Sequence, residues 1–132
     1  MKRTIATVAL AAAIAVSACG GSDTAAFELI DAGEAQELLT APPQDLVVLD
    51  VRTPEEFDAG HLDASVNIDF YAADFADQLD DLDKDVPYFV YCRSGNRSAT
   101  TIETMRGLGF SEVYELDGGI ISWAEAGLPL DG

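Results

Sequence analysis

The sequence is poor in basic residues. Its 132 residues include 7 Lys and Arg against 24 Asp and Glu, and the formal net charge at pH 7 is −17. Proteins that bind nucleic acid or anionic lipid by charge need a positive surface. The composition therefore argues against both kinds of partner, and we interpret the acidic excess as a hydrated surface.

Long apolar runs are also lacking. The longest, residues 5–16, is shorter than the roughly 20 residues that a membrane-spanning helix needs, and no later run is longer. Two basic residues precede this run and two small residues follow it. That order is typical of a signal peptide. We therefore expect residues 1–18 to be a signal peptide that is removed on export.

A cysteine stands at the end of this segment. Val16-Ser17-Ala18-Cys19 resembles the bacterial lipoprotein signal, in which a branched residue and two small residues precede a cysteine. The resemblance implies a lipid on the Cys19 sulfur and an exported protein, anchored on the outer side of a bacterial membrane in the cell envelope or periplasm. An ordinary secretory signal with a cysteine nearby is the alternative.

The rest of the chain has the length of one domain. Gly20, Gly21 and Ser22 predict a flexible tether, so we assign a lipidated tether to residues 19–26 and a single domain to residues 27–132.

Cysteines are scarce, with two in all. If the lipid occupies Cys19, Cys92 is a lone thiol outside the cytoplasm, which marks it as a reactive candidate. A buried, inert cysteine is the alternative.

Apolar runs and helix signals alternate through the domain. This alternation predicts an α/β fold with a parallel sheet and helices on both faces. The ligand site of such a sheet lies at the carboxyl ends of its strands, and Cys92 directly follows one of them. The predicted strands are 46–49, 65–68, 86–91 and 112–116, and the predicted helices begin near 31 and 53 or span 71–82, 98–108 and 120–126.

The segment Cys92-Arg93-Ser94-Gly95-Asn96-Arg97-Ser98 joins a strand to a helix. Gly95 permits a turn that directs backbone N–H groups inward around an anion, and the helix dipole adds to the effect. Two arginines supply further positive charge, which favours the thiolate form of Cys92. We therefore interpret Cys92 as a nucleophile, and the residues expected to hold an anionic substrate are Arg93, Ser94, Gly95, Asn96, Arg97 and Ser98.

Together with further blocks in the right order, this loop resembles the rhodanese family over most of the chain, from Phe27 to Leu130. Ser65 departs slightly from the pattern, because the family more often has alanine there. The resemblance implies a five-stranded parallel sheet with helices on both faces. The matching blocks are Leu49-Asp50-Val51-Arg52-Thr53-Pro54-Glu55-Glu56-Phe57, Gly60-His61-Leu62, Ser65-Val66-Asn67-Ile68, and Leu116-Asp117-Gly118-Gly119 with Trp123.

The resemblance also implies a chemistry. The Cys92 thiolate attacks the outer sulfur of thiosulfate, sulfite leaves, and the sulfur stays on Cys92 as a transient persulfide until a thiol or cyanide accepts it. No metal and no organic cofactor is implied. We expect a monomer in which Arg93 and Arg97 hold the sulfonate end of the substrate.

Several other residues have more than one interpretation. Arg97 either contacts substrate or clamps the loop through a carboxylate, for which Asp50 is the natural partner. Asp50 and Arg52 are expected to support the site from a strand end rather than to react. His61, the single histidine, is expected to form a turn rather than to act as a base, since a thiolate needs none. Trp123 is expected to pack the last helix on the sheet.

Three kinds of function remain open. Sulfur transfer is favoured. A persulfide carrier or anchored binding module without turnover is an alternative. A phosphatase or arsenate reductase of related fold is another, but cysteine-dependent phosphatases have five residues between cysteine and arginine, whereas four separate Cys92 from Arg97 here.

The lipid on Cys19 can be tested directly. The parent protein should fractionate with membranes, whereas Cys19→Ala should neither incorporate labelled palmitate nor be processed at the same position, because the substitution removes the thiol that carries the lipid. Identical sorting and processing of both proteins would contradict the anchor.

Overall fold

The structure, a computed structural model, describes residues 25–131. The predicted signal peptide and Cys19 lie outside the described residues. No helix within residues 25–131 is both long and apolar enough to cross a membrane. In this part of the chain strands and helices alternate in the order β1 (Ala26–Ile30), α1 (Ala32–Thr40), β2 (Val47–Asp50), α2 (Pro54–Asp58), β3 (Val66–Asn67), α3 (Phe75–Asp80), β4 (Tyr88–Tyr91), α4 (Asn96–Leu108), β5 (Glu112–Leu116) and α5 (Gly119–Glu125).

The strands form one five-stranded parallel sheet in the order β1-β5-β4-β2-β3. One face packs against α3 and α4, and the other packs against α1 and α5. The predicted fold class, a parallel sheet covered on both faces, is confirmed. Because the strands are parallel, all their carboxyl ends meet at one edge, and this edge carries the loops that follow β2 and β4.

β4 lies at the centre of the sheet between β2 and β5, and its four residues are fully buried. Val90 and Cys92 face the core under α3 and α4, whereas Phe89 and Tyr91 face the core under α1 and α5. The alternation follows from the two-residue period of a strand. Cys92 therefore emerges from a position with apolar packing on both faces, which fixes where its sulfur lies.

Two helix starts follow the sequence signals. Asp31 caps α1 in a capping box, accepting from the Glu34 N–H while the Glu34 carboxylate accepts from the Asp31 N–H. Thr53 caps α2 and accepts from the Glu56 N–H, with Pro54 at the first helical position. Since α2 starts directly after β2, Glu56 is brought to the carboxyl edge of the sheet.

The predicted helix over 71–82 was too long. Only Phe75–Asp80 is helical, and residues 69–74 form successive turns instead. The Asp69 carboxylate accepts from the Tyr71 N–H, and the Asp69 carbonyl accepts from the Ala72 N–H. An aspartate side chain that competes for backbone N–H groups in this way favours a turn over a helix. Tyr71 is consequently left exposed.

The structure differs from the sequence prediction at two further elements, strand β1 and the start of helix α4. The periodicity does not predict strand β1, because β1 is an edge strand in which Leu29 is exposed and only Ile30 is buried. Helix α4 begins at Asn96 rather than at Ser98, with Gly95 as its N-cap at a φ of 106°. That backbone conformation favours glycine. The loop after β4 is therefore shorter than expected, and Arg97 lies in the first turn of α4.

The first turn of α5 holds the beginning of the Cys92 loop. The N–H of Ile120 donates to the Cys92 carbonyl at 2.9 Å, and the N–H of Ile121 donates to the Arg93 carbonyl at 3.2 Å. These N–H groups have no partner within their own helix, because they lie in its first turn. Gly119 makes the approach possible, since a Cβ at this position would collide with the carbonyl groups of Cys92 and Arg93.

The close approach at Gly119 yields a prediction. Gly119→Ala should lower the free energy of unfolding by at least about 2 kcal/mol, because the methyl group meets two carbonyl groups and the residue has a positive φ of 62°. Gly107→Ala in α4 is the control. It has open space around it and a helical backbone, so it should be neutral or stabilise by about 0.5–1 kcal/mol. Equal stability of the two variants in urea unfolding would contradict the close packing of α5 on the loop.

Candidate active site

Cys92 is almost completely buried, with 1% of the residue exposed. Its Sγ accepts a hydrogen bond from the Gly95 N–H at 3.1 Å, and the Ser98 Oγ lies 3.4 Å from it. Both partners belong to the loop and to the first turn of α4, whose dipole favours negative charge at this end. The sulfur thus accepts from one backbone N–H and lies beside one hydroxyl group at the amino end of α4.

The buried Ser98 hydroxyl connects the sulfur to the loop backbone. Its O–H donates to the Gly95 carbonyl at 3.1 Å, and its oxygen accepts from the Cys92 thiol. A serine hydroxyl has one hydrogen and two lone pairs, and the hydrogen rotates to suit its partner. When the thiol loses its proton, the same hydroxyl is placed to donate to the sulfur instead.

Arg97 forms an ion pair with Glu56 near Cys92, and this pair with the neighbouring Tyr71 is called the entrance of the site. The Arg97 Nη2 lies 2.8 Å from the Glu56 Oε2, and its guanidinium carbon lies 5.7 Å from the centre of the Tyr71 ring. Burial lowers the pKa of Arg97, but the hydrogen bond and charge of Glu56 and a smaller attraction from Cys92 outweigh it, and the pKa is raised. The prediction that Asp50 is the carboxylate partner of Arg97 is wrong, because the Asp50 carboxylate is paired with Arg52.

The remaining residues of the loop lie at its surface. Arg93, Ser94 and Asn96 are exposed, and Gly95 is half-buried. Arg93 makes no ion pair within residues 25–131, so no carboxylate there neutralises its charge. Of the residues proposed from the sequence to hold an anion, the structure brings Gly95 and Ser98 into hydrogen-bonding contact with the sulfur.

Asp50 and Arg52 form a buried ion pair at the end of β2. The Arg52 Nη2 lies 2.7 Å from the Asp50 Oδ2 and also donates to the Gly60 carbonyl at 2.6 Å. Burial lowers the pKa of Arg52, but its hydrogen bond and attraction to Asp50 raise it further than burial lowers it. The Asn67 amide donates to the carbonyls of both residues. This pair ties β2, β3 and the turn at Gly60 together.

Tyr91, the last residue of β4, completes this support. Its hydroxyl accepts from the Leu62 N–H at 3.0 Å and donates to the Ser65 Oγ at 3.2 Å. Burial and the nearby Asp50 carboxylate raise the pKa of Tyr91, so the phenol stays protonated. The guanidinium of Arg52 lies over its ring at 5.6 Å. The residue preceding Cys92 is thereby held on the side opposite to α4.

Comparison with known proteins identifies relatives of this chain. A family model described as the rhodanese-like domain matches residues 31–126. The thiosulfate sulfurtransferase GlpE of Ectopseudomonas mendocina (strain ymp) is 38% identical over 97 residues, which cover 74% of this chain and 84% of that protein. A sulfurtransferase of Allochromatium vinosum is 32% identical over 90 residues, covering 68% and 82% respectively.

A solved structure shows the same likeness. The crystal structure of a rhodanese-related protein from Thermoplasma volcanium aligns with a TM-score of 0.68 and 35% identity, covering 79% of this chain and 97% of that one. The chain belongs to the rhodanese-like family. The resemblance inferred from the separated sequence blocks is confirmed at the level of family and fold.

In this rhodanese-like domain His61 makes structural contacts. Its Nδ1 lies 2.9 Å from the Phe57 carbonyl, its ring stacks on the Phe57 ring at 3.9 Å, and its backbone pairs with Asp131. Trp123 is buried and its indole N–H donates to the Pro129 carbonyl at 2.9 Å. These contacts support the interpretation of both residues as packing residues.

Sequence reasoning did not identify two neighbours of Arg97. The sequence predicts Glu56 only as part of the first turn of a helix, and Tyr71 only as the start of a helix. Both are distant from Arg97 along the chain, and the only available signal was that the residues after β2 and β4 share one sheet edge. Glu56, directly after the Thr53-Pro54 helix start, could have been placed at that edge by this argument.

Proposed function

We propose that this protein is a sulfurtransferase that moves sulfane sulfur from thiosulfate or a similar donor to a thiophilic acceptor through a persulfide on Cys92. The observation that carries the proposal is the buried Cys92 Sγ, which accepts from the Gly95 N–H at the start of α4. The names of the relatives, thiosulfate sulfurtransferase and sulfurtransferase, support the same chemistry.

The first half of the reaction forms the persulfide. The Cys92 thiolate attacks the outer sulfur of thiosulfate, a new sulfur–sulfur bond forms, and the bond between the two thiosulfate sulfurs breaks. The electron pair of that bond leaves with sulfite. The total charge of −3 is the same before and after the step, since a thiolate and a thiosulfate dianion become a persulfide anion and a sulfite dianion.

The second half returns the enzyme to its starting state. A thiolate or cyanide attacks the outer sulfur of the persulfide, which leaves Cys92 as a thiolate and yields an organic persulfide or thiocyanate. The atom that the acceptor attacks is the outer sulfur of the persulfide. It lies about 2 Å beyond Sγ. Neither half requires a metal or a resident organic cofactor.

The site offers stabilisation at the points where charge develops. We expect the Gly95 N–H and the Ser98 hydroxyl to support the charge on Cys92, and the positive charges of Arg93 and Arg97 to attract the sulfonate oxygens of the donor. Preorganised donors of this kind are a major source of rate acceleration. The span of four residues between Cys92 and Arg97 supports attack on sulfur rather than on a phosphoryl group, for which cysteine-dependent phosphatases have five.

The proposal extends to location. The sequence of residues 16–19 supports a lipid on Cys19. The chain between Cys19 and β1, which begins at Ala26 inside the predicted tether 19–26, would link a monomeric domain to the outer side of a bacterial membrane in the cell envelope or periplasm. Lipidation would also leave Cys92 without a disulfide partner in an oxidising compartment. The partners are then a small sulfur-containing anion, a thiol or cyanide acceptor and the membrane, without nucleic acid.

The persulfide can be detected by intact-mass measurement. Incubation with thiosulfate should add one sulfur atom to the parent and none to Cys92→Ser, because serine provides no sulfur nucleophile. The added sulfur should disappear on treatment with cyanide. Continuous formation of thiocyanate would establish turnover, whereas a single stable addition would favour a persulfide carrier. An equal mass gain in both proteins would contradict the assignment of Cys92.

A further inference from the structure

The ion pair of Arg97 leaves part of its guanidinium group unoccupied. The Nη2 donates to the Glu56 Oε2 at 2.8 Å, but Nε and Nη1 form no hydrogen bond with any residue in the range 25–131. The Arg97 side chain is 14% exposed, and that of Glu56 is 32% exposed. Nε and Nη1 are therefore left as donors for an anion while Glu56 accepts from Nη2.

Glu56 brings a negative charge to the entrance of a site that otherwise attracts anions. It comes from α2, a different element from the Cys92 loop, and α2 is placed there by the short connection from β2. The loop supplies two cations, Arg93 and Arg97, and Glu56 offsets one of them. The net positive charge of the site is consequently smaller than the two arginines in the sequence would suggest.

We propose that Glu56 is a specificity-determining residue that shifts donor selectivity away from dianions such as thiosulfate and towards monoanionic sulfane-sulfur donors such as alkane thiosulfonates. This inference rests on the proposed sulfur transfer. A monoanionic donor reacts by the same exchange: the Cys92 thiolate bonds to the outer sulfur, the bond between the two donor sulfurs breaks, and a sulfinate leaves with the electron pair. The total charge is −2 before and after the step.

The expected size of the effect follows from Coulomb's law. For a unit negative charge assumed to lie about 6 Å from a carboxylate, repulsion at an effective dielectric constant of roughly 60, between the values for a protein surface and bulk water, weakens binding about fivefold. A dianion experiences the effect twice over, so Glu56 changes the preference between a dianion and a monoanion by about fivefold. Salt reduces the difference, since the Glu56 side chain is partly exposed to solvent.

The substitution Glu56→Gln separates charge from structure. Glutamine has nearly the same shape, and its amide oxygen can still accept from the Arg97 Nη2. Glu55→Gln is the matched control, because Glu55 lies in the same helical turn, is exposed, and forms no ion pair within the described part of the chain. Both variants change the net charge of the protein equally.

The first measurement is kcat/KM for methanethiosulfonate divided by kcat/KM for thiosulfate, with cyanide as acceptor. Glu56→Gln should lower this ratio about fivefold, mainly through a lower KM for thiosulfate, and Glu55→Gln should leave it within about 1.5-fold of the parent. Loss of loop structure would slow both donors together and leave the ratio unchanged. An unchanged ratio in Glu56→Gln, or an equal change in both variants, would overturn the role of Glu56.

A second measurement does not depend on sulfur transfer. In Cys92→Ser protein, the affinities for sulfate and methanesulfonate can be measured from the shift of the Gly95 amide resonance at constant low ionic strength. Adding Glu56→Gln should raise the affinity for sulfate about fivefold more than that for methanesulfonate. Equal changes for the two anions would overturn the inference. If the parent fails to use any sulfur donor, the proposed function fails, whereas this binding comparison still decides the role of Glu56.

Discussion

The site depends on the hydrogen bonds that the first turn of α5 makes to the carbonyls of Cys92 and Arg93. They fix the chain at the point where β4 ends, so that the following residues must turn at Gly95 and enter α4 at Asn96. The same turn directs the Gly95 N–H at the Cys92 sulfur. Gly119 is the residue that permits this contact, since any side chain there would separate α5 from the loop. Helix α5, remote in sequence, thereby sets the geometry of the nucleophile.

Charge in this acidic protein is organised around a few cations. Arg52 is buried with Asp50 and holds the frame of the sheet edge, Arg97 is paired with Glu56 at the entrance, and Arg93 is exposed without an ion pair in residues 25–131. In a buried ion pair, each partner avoids the cost of a buried charge that has no counter-charge. An ion pair at the entrance instead influences which anions approach the site. Similar residue types thus serve different purposes according to their burial.

The separated blocks and the alternation of strand and helix were sufficient to predict the family, the parallel sheet and the position of Cys92 at a strand end. They failed where a side chain competes for backbone N–H groups, or where contacts distant along the chain determine the secondary structure. Asp69 turns the chain where a helix was predicted, and β1 is a strand because β5 provides its partner, although its own pattern is weak. The partner of Arg97 could not be read from spacing, because Asp50 and Glu56 both lie at the same edge and only the buried Arg52 distinguishes them.

The central claim is that the loop held by α5 and α4 presents the Cys92 sulfur for a covalent exchange with a sulfane-sulfur donor. A crystal structure of the protein after soaking in thiosulfate tests it most directly. The account predicts additional density for one atom bonded to Sγ at about 2.05 Å, the usual sulfur–sulfur bond length, with the Gly95 N–H still directed at the Cys92 side chain. An unmodified Cys92 beside intact bound thiosulfate, or added sulfur at any other residue, would contradict it.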